Sequence, residues 1–341
     1  MKKFCCMKWH LPAFAILLLG LLFLFPGCRQ KPHYEASISD IRLEKVTIRR
    51  YDELLFSLDP YRLREEIQPH AETFEFFLGD ALDDPLAMQQ LFAYVTDPLL
   101  QALYLETKEV WPVLTSLEED LTRAFRYYRA HFPDEPIPQL YSYVSGIDYK
   151  LPIKYAGNHA AIGLDNYLGS DCPHYGKIGI PAYQAMTMEP DFVPLDMMKI
   201  LAEVHLQAEP YEPETLLDFM IYEGKMLYFL DCMFPRAPDS LKVAYTGDQL
   251  RWMQEGRGMV WSYFIDNELL FSTDRQMIGR LVGEAPFTSA FGRGSAPRTA
   301  SWTGWQIVRE YMRRHPEVSL PELLGMHDAN RILHESRYRG R

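Results

Sequence analysis

The amino terminus decides which part of this chain has to fold and where. Lys2, Lys3 and Lys8 precede an almost unbroken apolar run from Leu11 to Phe25, and Pro26-Gly27-Cys28 follows. A basic start, a short apolar core and a small residue before the cut is the layout of a secretory signal. The run is short for a spanning helix, which needs about 20 apolar residues. A cysteine directly after the small residue points to lipoprotein processing, because its thiol can take a diacylglycerol before cleavage. Phe25 and Pro26 depart from the usual cut-site residues, and the competing interpretation is an uncleaved amino-terminal anchor. The expectation is a signal peptide over 1–27, a lipidated tether over 28–37 and a folded body over 38–338.

Removing residues 1–27 removes three lysines and no acid. Lys+Arg therefore falls from 35 to 32 against 46 Asp+Glu, and the net charge moves from −11 to −14. That balance argues against nucleic acid and anionic surfaces as partners, since both select clustered Lys and Arg. The expected partners are a membrane, through the lipid on Cys28, and envelope proteins. Cys5 and Cys6 leave with the signal, so Cys172 and Cys232 remain beside Cys28. An oxidising compartment allows them to pair, and two buried free thiols are the alternative. The apolar and charged fractions, 48% and 24%, are those of ordinary globular material, with no repeats and no low-complexity tract.

Ile41 to Arg50 alternates apolar and charged residues and predicts a strand, with a register slip near Glu44. Asp59-Pro60, Asp84-Pro85 and Asp97-Pro98 each open a helical stretch, aspartate capping and proline at the first helical position. A longer helix is predicted over 110–131. Residues 138–145 and 159–167 read as strands. Further helices are predicted over 195–208, 214–233, 247–266, 273–282, 301–314 and 320–325. Thr246 with Gln249, and Ser319 with Glu322, have capping-box spacing. The fold class expected is α+β, predominantly helical, with a small sheet.

Chemistry concentrates on the 195–208 and 214–233 helices. Met197, Ile200, Leu201, Val204 and Ala208 form one apolar face, flanked by His205. On the second helix Leu216, Met220, Leu227 and Leu230 form a stripe that contains Glu223. A carboxylate there needs a partner. Gly224, next to it, leaves room for another backbone. A histidine on one helix and a glutamate on the next suggest a zinc peptidase, whose first helix carries H-E-x-x-H. Here that stretch is Leu201-Ala202-Glu203-Val204-His205, so the first ligand and the base are absent. Glu203 is no substitute, lying about 200° around the helix from His205. The expectation is a core histidine bonded to a buried glutamate, with His205 and Glu223 as vestigial metal candidates and no bound metal or cofactor.

Other candidates carry less. His159 and His174 flank residues 163–169, where Asp165 is expected to bridge a turn rather than bind metal. Arg298 and Arg293, in or beside a Gly/Ser/Pro loop, are expected to pair with internal carboxylates. Trp302, Trp305, Val308 and Met312 are expected in the core. There is no nucleophile elbow and no phosphate-cradling glycine loop.

Five segments carry a family resemblance: GLDNYLGSD at 163–171, LLDFMIYEGKMLYFLD at 216–231, AYTGDQLRWM at 244–253, WSYFIDNELLFSTD at 261–274 and WTGWQIVREYM at 302–312. In order and spacing they resemble the gliding-motility lipoproteins called GldB, from the Bacteroidetes, over about residues 40 to 338. That family is in turn similar to predicted zinc-dependent protease lipoproteins with a complete H-E-x-x-H and an E-G-x-A segment. Glu223-Gly224-Lys225-Met226 resembles the latter, while Leu201-Ala202 breaks the former. The resemblance implies a zincin-like scaffold without its metal or base, acting as a non-catalytic component of an envelope machine linked to gliding or type IX secretion. The alternatives are an active or residual metallopeptidase and a ligand-binding pseudo-peptidase. The lipidated end, CRQKPHYEAS, has no acidic cluster of the kind that marks surface-exposed lipoproteins of that phylum, which implies a periplasm-facing protein.

Overall fold

A computed structural model describes residues 34–340 apart from Asp80 and Glu209. The signal segment, Cys28 and the tether up to residue 33 lie outside the described residues. Helix dominates, and the strands form one four-stranded sheet, so the class is α+β as expected. Among the described residues no helix is long and apolar enough to cross a membrane.

In chain order the principal elements are β1 (Ile48–Arg50), α1 (Tyr51–Ser57), α2 (Pro85–Thr96), α3 (Pro98–Val110), α4 (Thr115–His131), β2 (Gln139–Tyr143), β3 (Ile153–Ala156) and β4 (His159–Gly163). There follow α5 (Phe192–Leu206), α6 (Leu216–Met233), α7 (Gly247–Asp266), α8 (Arg275–Val282), α9 (Thr299–Arg314) and α10 (Ala329–Ser336), with short helical turns between several of them.

The sheet order is β1-β2-β4-β3, with β1, β2 and β4 parallel and β3 antiparallel to β4. Its two faces are buried separately, which is what a parallel sheet requires. Ile48, Leu140, Ile153, Ala160 and Ile162 point into the main core with the large helices. Tyr141, Tyr143 and Ala161 alternate with them and meet Tyr51, Leu55 and Ile67 on the other side.

The strand expected over 41–50 shortens to Ile48–Arg50. Ahead of it the Val46 amide donates to Thr122 Oγ1 of α4, and at its first residue the Ile48 amide donates to Glu118 Oε1 of the same helix, both at 3.0 Å. The strand expected over 159–167 stops at Gly163, where a 3-10 turn of Leu164–Asn166 takes over. β3 was not anticipated. It reaches β4 through the two-residue connection Gly157-Asn158, with Gly157 at φ +56°, a left-handed conformation that glycine adopts freely.

The helix expected over 110–131 starts five residues late, and Val110 ends the helix before it. Pro112 pushes Trp111 out of the helical region, to φ −119° and ψ 56°, and α4 begins only at Thr115. The Asp-Pro signals hold, with Asp59, Asp84 and Asp97 each accepting an amide at the start of its helix. Both capping boxes form, and α7 spans Gly247–Asp266. A third box, Thr215 with Asp218, starts α6. Cys172 and Cys232 are both free and buried, and they sit in different core clusters.

α6 and α9 approach each other closely at two glycines. A Cβ on Gly224 would lie 2.5 Å from the Gly304 carbonyl, and one on Gly304 only 1.7 Å from the Met220 oxygen. Backbone therefore rests on backbone, and Gly224 leaves the room that its sequence position suggested. Gly304→Ala is expected to force the helices apart and cost about 3 kcal/mol or more, since overpacking cannot be relieved by a side-chain shift. Gly279→Ala, on the open face of α8, where a Cβ meets nothing within 4 Å, is expected to gain roughly 0.5–1 kcal/mol. Urea denaturation of the two variants against the parent measures both.

Candidate functional site

The candidate residues of α5 and α6 are placed by the apolar faces of those helices. Leu201 and Ala202 are 2% and 0% exposed, so a core leucine fills the position four residues before His205 where a first metal ligand would stand. Glu203 and Val204 face outward.

His205 and Glu223 do not bond, which overturns the expected histidine–glutamate pair. The His205 Nε2 meets the Tyr128 hydroxyl at 2.9 Å, and its ring stacks on Phe132 with centroids 4.1 Å apart. Both partners come from α4 and the residue after it. Burial pulls the His205 pKa below its ordinary value, with Glu135 opposing weakly. Glu223 instead accepts from the Arg298 guanidinium at 2.7 Å, with both side chains about three-quarters shielded. Arg298 thus pairs internally, as its position in an acidic chain suggested. It does so from a left-handed backbone conformation, φ +49°, at the start of α9. Arg293 is exposed in the preceding loop. Burial and the neighbouring Glu223 carboxylate raise the Glu203 pKa.

The segment Glu223-Gly224-Lys225-Met226 spreads its residues over separate tasks. Glu223 holds Arg298, Gly224 admits α9, and Met226 is core. Lys225, 3% exposed, donates to the carbonyls of Leu324 and Met326 at the end of the short helix Leu320–Leu324. This closes a helix terminus whose carbonyls have no partner within the helix. Burial pushes the Lys225 pKa down to about 8. Among the described residues no three His, Cys, Asp or Glu side chains converge as a metal would require.

The remaining candidates serve turns and packing. Asp165 is fully buried and accepts from the Ser145 amide and hydroxyl and from the Ile147 amide, at 2.7, 3.0 and 2.6 Å. It bridges the turn that carries Gly146 and Ile147 at positive φ. Burial raises its pKa, and those donors oppose the shift. His174 pairs with Glu106 at 2.8 Å, and His159 stacks on Phe76. Trp302, Trp305, Val308 and Met312 are all core, as expected.

The strongest polar constellation escaped the sequence reading. Asp231, 0% exposed near the end of α6, accepts from Lys242 at 2.8 Å, the Trp305 indole at 2.8 Å and Arg309 at 2.7 Å. Arg309 also grips Asp239 at 2.7 Å and lies over the Trp305 ring at 3.7 Å. Burial works against ionisation of Asp239, but the Arg309 bond and charge, with Lys242, outweigh it and hold the carboxyl below its usual range. The signal was present: Asp231 lies seven residues after Gly224, on the same apolar face, as conspicuous as Glu223. All three donors come from the chain's own buried elements, so the arrangement is a structural staple.

Asp231→Ala strands Lys242 and Arg309 without their shared counter-charge and is expected to cost about 3–5 kcal/mol in chemical denaturation. A pH dependence follows from the histidines. Burial lowers His131 to about 4, and its Nε2 is buried without a hydrogen-bond partner. A depressed histidine pKa keeps the folded form neutral. Its stability contribution is therefore complete above the ordinary value of 6.5 and is lost as pH falls from there towards 4. Between pH 7 and 4.5 the parent is expected to lose about 2 kcal/mol through His131. His131→Leu is expected to flatten that part of the profile, measured by urea midpoints across the range.

A family model described as gliding motility protein GldB, a lipoprotein family by its label, matches residues 31–340. No curated protein and no solved structure matches the chain. The match starts just after the expected lipidation site and runs to the end of the described residues. The chain belongs to the GldB family of gliding-motility lipoproteins.

Proposed function

We propose that this protein is a non-catalytic lipoprotein of the cell envelope. On this reading it is held to a membrane by lipid on Cys28, faces the periplasm, and acts as an interaction or assembly component of machinery linked to gliding or type IX secretion. The observation that carries the non-catalytic part is the divorce of His205 from Glu223. Hydrolysis by a zinc peptidase needs converging ligands and a base beside the first of them. Here Tyr128 and Phe132 occupy the histidine, Arg298 neutralises the glutamate, and Leu201 and Ala202 stand where the first ligand and the base belong. The chain keeps a two-helix frame without the chemistry. Family membership supports the anchorage and the motility link.

The test is complementation of a chromosomal deletion in the source cell. Glu223→Gln is expected to restore motility and secretion in full, because it removes an ion pair and no catalytic group. Cys28→Ser is expected to abolish membrane retention, lipid labelling and complementation together. Loss of function in Glu223→Gln at normal protein abundance, or a chelator-sensitive peptidase activity in the purified parent, would overturn the non-catalytic reading. Crosslinking in cells that recovers no envelope protein would overturn the assembly role.

A further inference from the structure

A groove of about 800 Å³ opens on the face where the described chain enters the body. It runs between α4, the loop after α3, the start of α5 and the residues that follow α6. Its floor is apolar: Trp111, Leu117, Leu195 and Met233 are all buried. Two valines stand at its edge in water, Val110 at 38% and Val113 at 70% exposure. Ile38 lines one side, and Arg236, also in the lining, pairs with Glu35 at 3.5 Å. The groove and the entry of the chain are thus contiguous. The volume lies in the range of about 300–1,000 Å³ that accepts small ligands.

We infer that this groove takes one acyl chain of a membrane phospholipid, with the lipid phosphate at Arg123 and Arg236. The inference rests on the reading of Cys28 as the lipid anchor. Cys28 precedes Tyr34 by six residues. A fully extended segment of that length spans at most roughly 20 Å, less than the ~30 Å hydrocarbon thickness of the bilayer itself. The entry face therefore cannot leave the neighbourhood of the lipid headgroups.

Charge points the same way. The whole chain carries −11, yet the groove lining holds three arginines against Asp120 and Asp191. Arg123 and Arg236 are 64% and 85% exposed, and each guanidinium meets a single carboxylate, Asp120 or Glu35. Five donors per guanidinium leave several for phosphate oxygens. Exposed valines over an apolar floor match a hydrocarbon chain entering from the bilayer side, and each buried methylene contributes about 0.8 kcal/mol.

The test uses the full lipidated protein, purified from membranes and reconstituted in vesicles of phosphatidylethanolamine and phosphatidylglycerol doped with a phospholipid carrying a photoactivatable group on its acyl chain. Peptide mass spectrometry maps the label and, on the same sample, the mass of the amino-terminal peptide reports lipid on Cys28. Label concentrated in peptides from residues 110–127 and 233–241 is expected. Val113→Asp, a change at an exposed position, is expected to cut it about tenfold, which corresponds to about 1.4 kcal/mol. Label absent from those peptides or spread evenly over the surface, with lipid present on Cys28, overturns the groove assignment alone. An amino-terminal peptide without lipid overturns the anchor and the groove assignment together.

Discussion

The contact on which the rest of the body depends is backbone against backbone, where Gly224 and Gly304 let α6 and α9 touch. Two large buried helices normally sit 8–10 Å apart at a distance set by their side chains. Here the spacing is set by the main chain, and the flanking side chains gain reach. Beside the crossing Glu223 meets Arg298, the residue before α9, and eight residues farther along α6 Asp231 meets Trp305 and Arg309. Both sets of contacts hold α6 against α9.

That arrangement assigns most buried charge in the main core to architecture. Asp231 draws three donors from two further elements, so the end of α6 cannot move without unpairing a lysine, an arginine and an indole. Replacing such a cluster by apolar residues need not cost stability, but removing one member does. Lys225 acts alike at smaller scale, closing the short helix Leu320–Leu324. A polar group in the apolar stripe of α6 therefore marks a joint between elements, and Glu223 is one of three such joints.

Local signals in the sequence were legible where the chemistry is local. Thr246 with Gln249 fixes the start of α7 because both hydrogen bonds lie within four residues, and the Asp-Pro starts work for the same reason. Partner choice across space was not legible. Nothing near Val46 says that its amide meets Thr122 rather than a strand, and nothing near His205 names Tyr128, 77 residues away. Consecutive helices suggested that His205 and Glu223 would meet. The third helix, α4, and the loop before α9 decided otherwise. β3 was missed although Gly157-Asn158 is a hairpin signal, because the strand itself is only four residues long.

On the proposed anchorage at Cys28, the segment from Tyr34 to Thr47 is where a pull from the membrane enters the body. Tyr34 packs edge-on against Tyr228, Arg126 donates to the Ile41 carbonyl, and Thr122 and Glu118 hold the amides that follow. Tension entering at residue 34 meets these links one after another before it reaches the parallel pairing of β1 with β2. Ala36, Ile38, Leu43 and Val46 also pack against the main core, so a load is shared along the whole strap before it reaches the sheet.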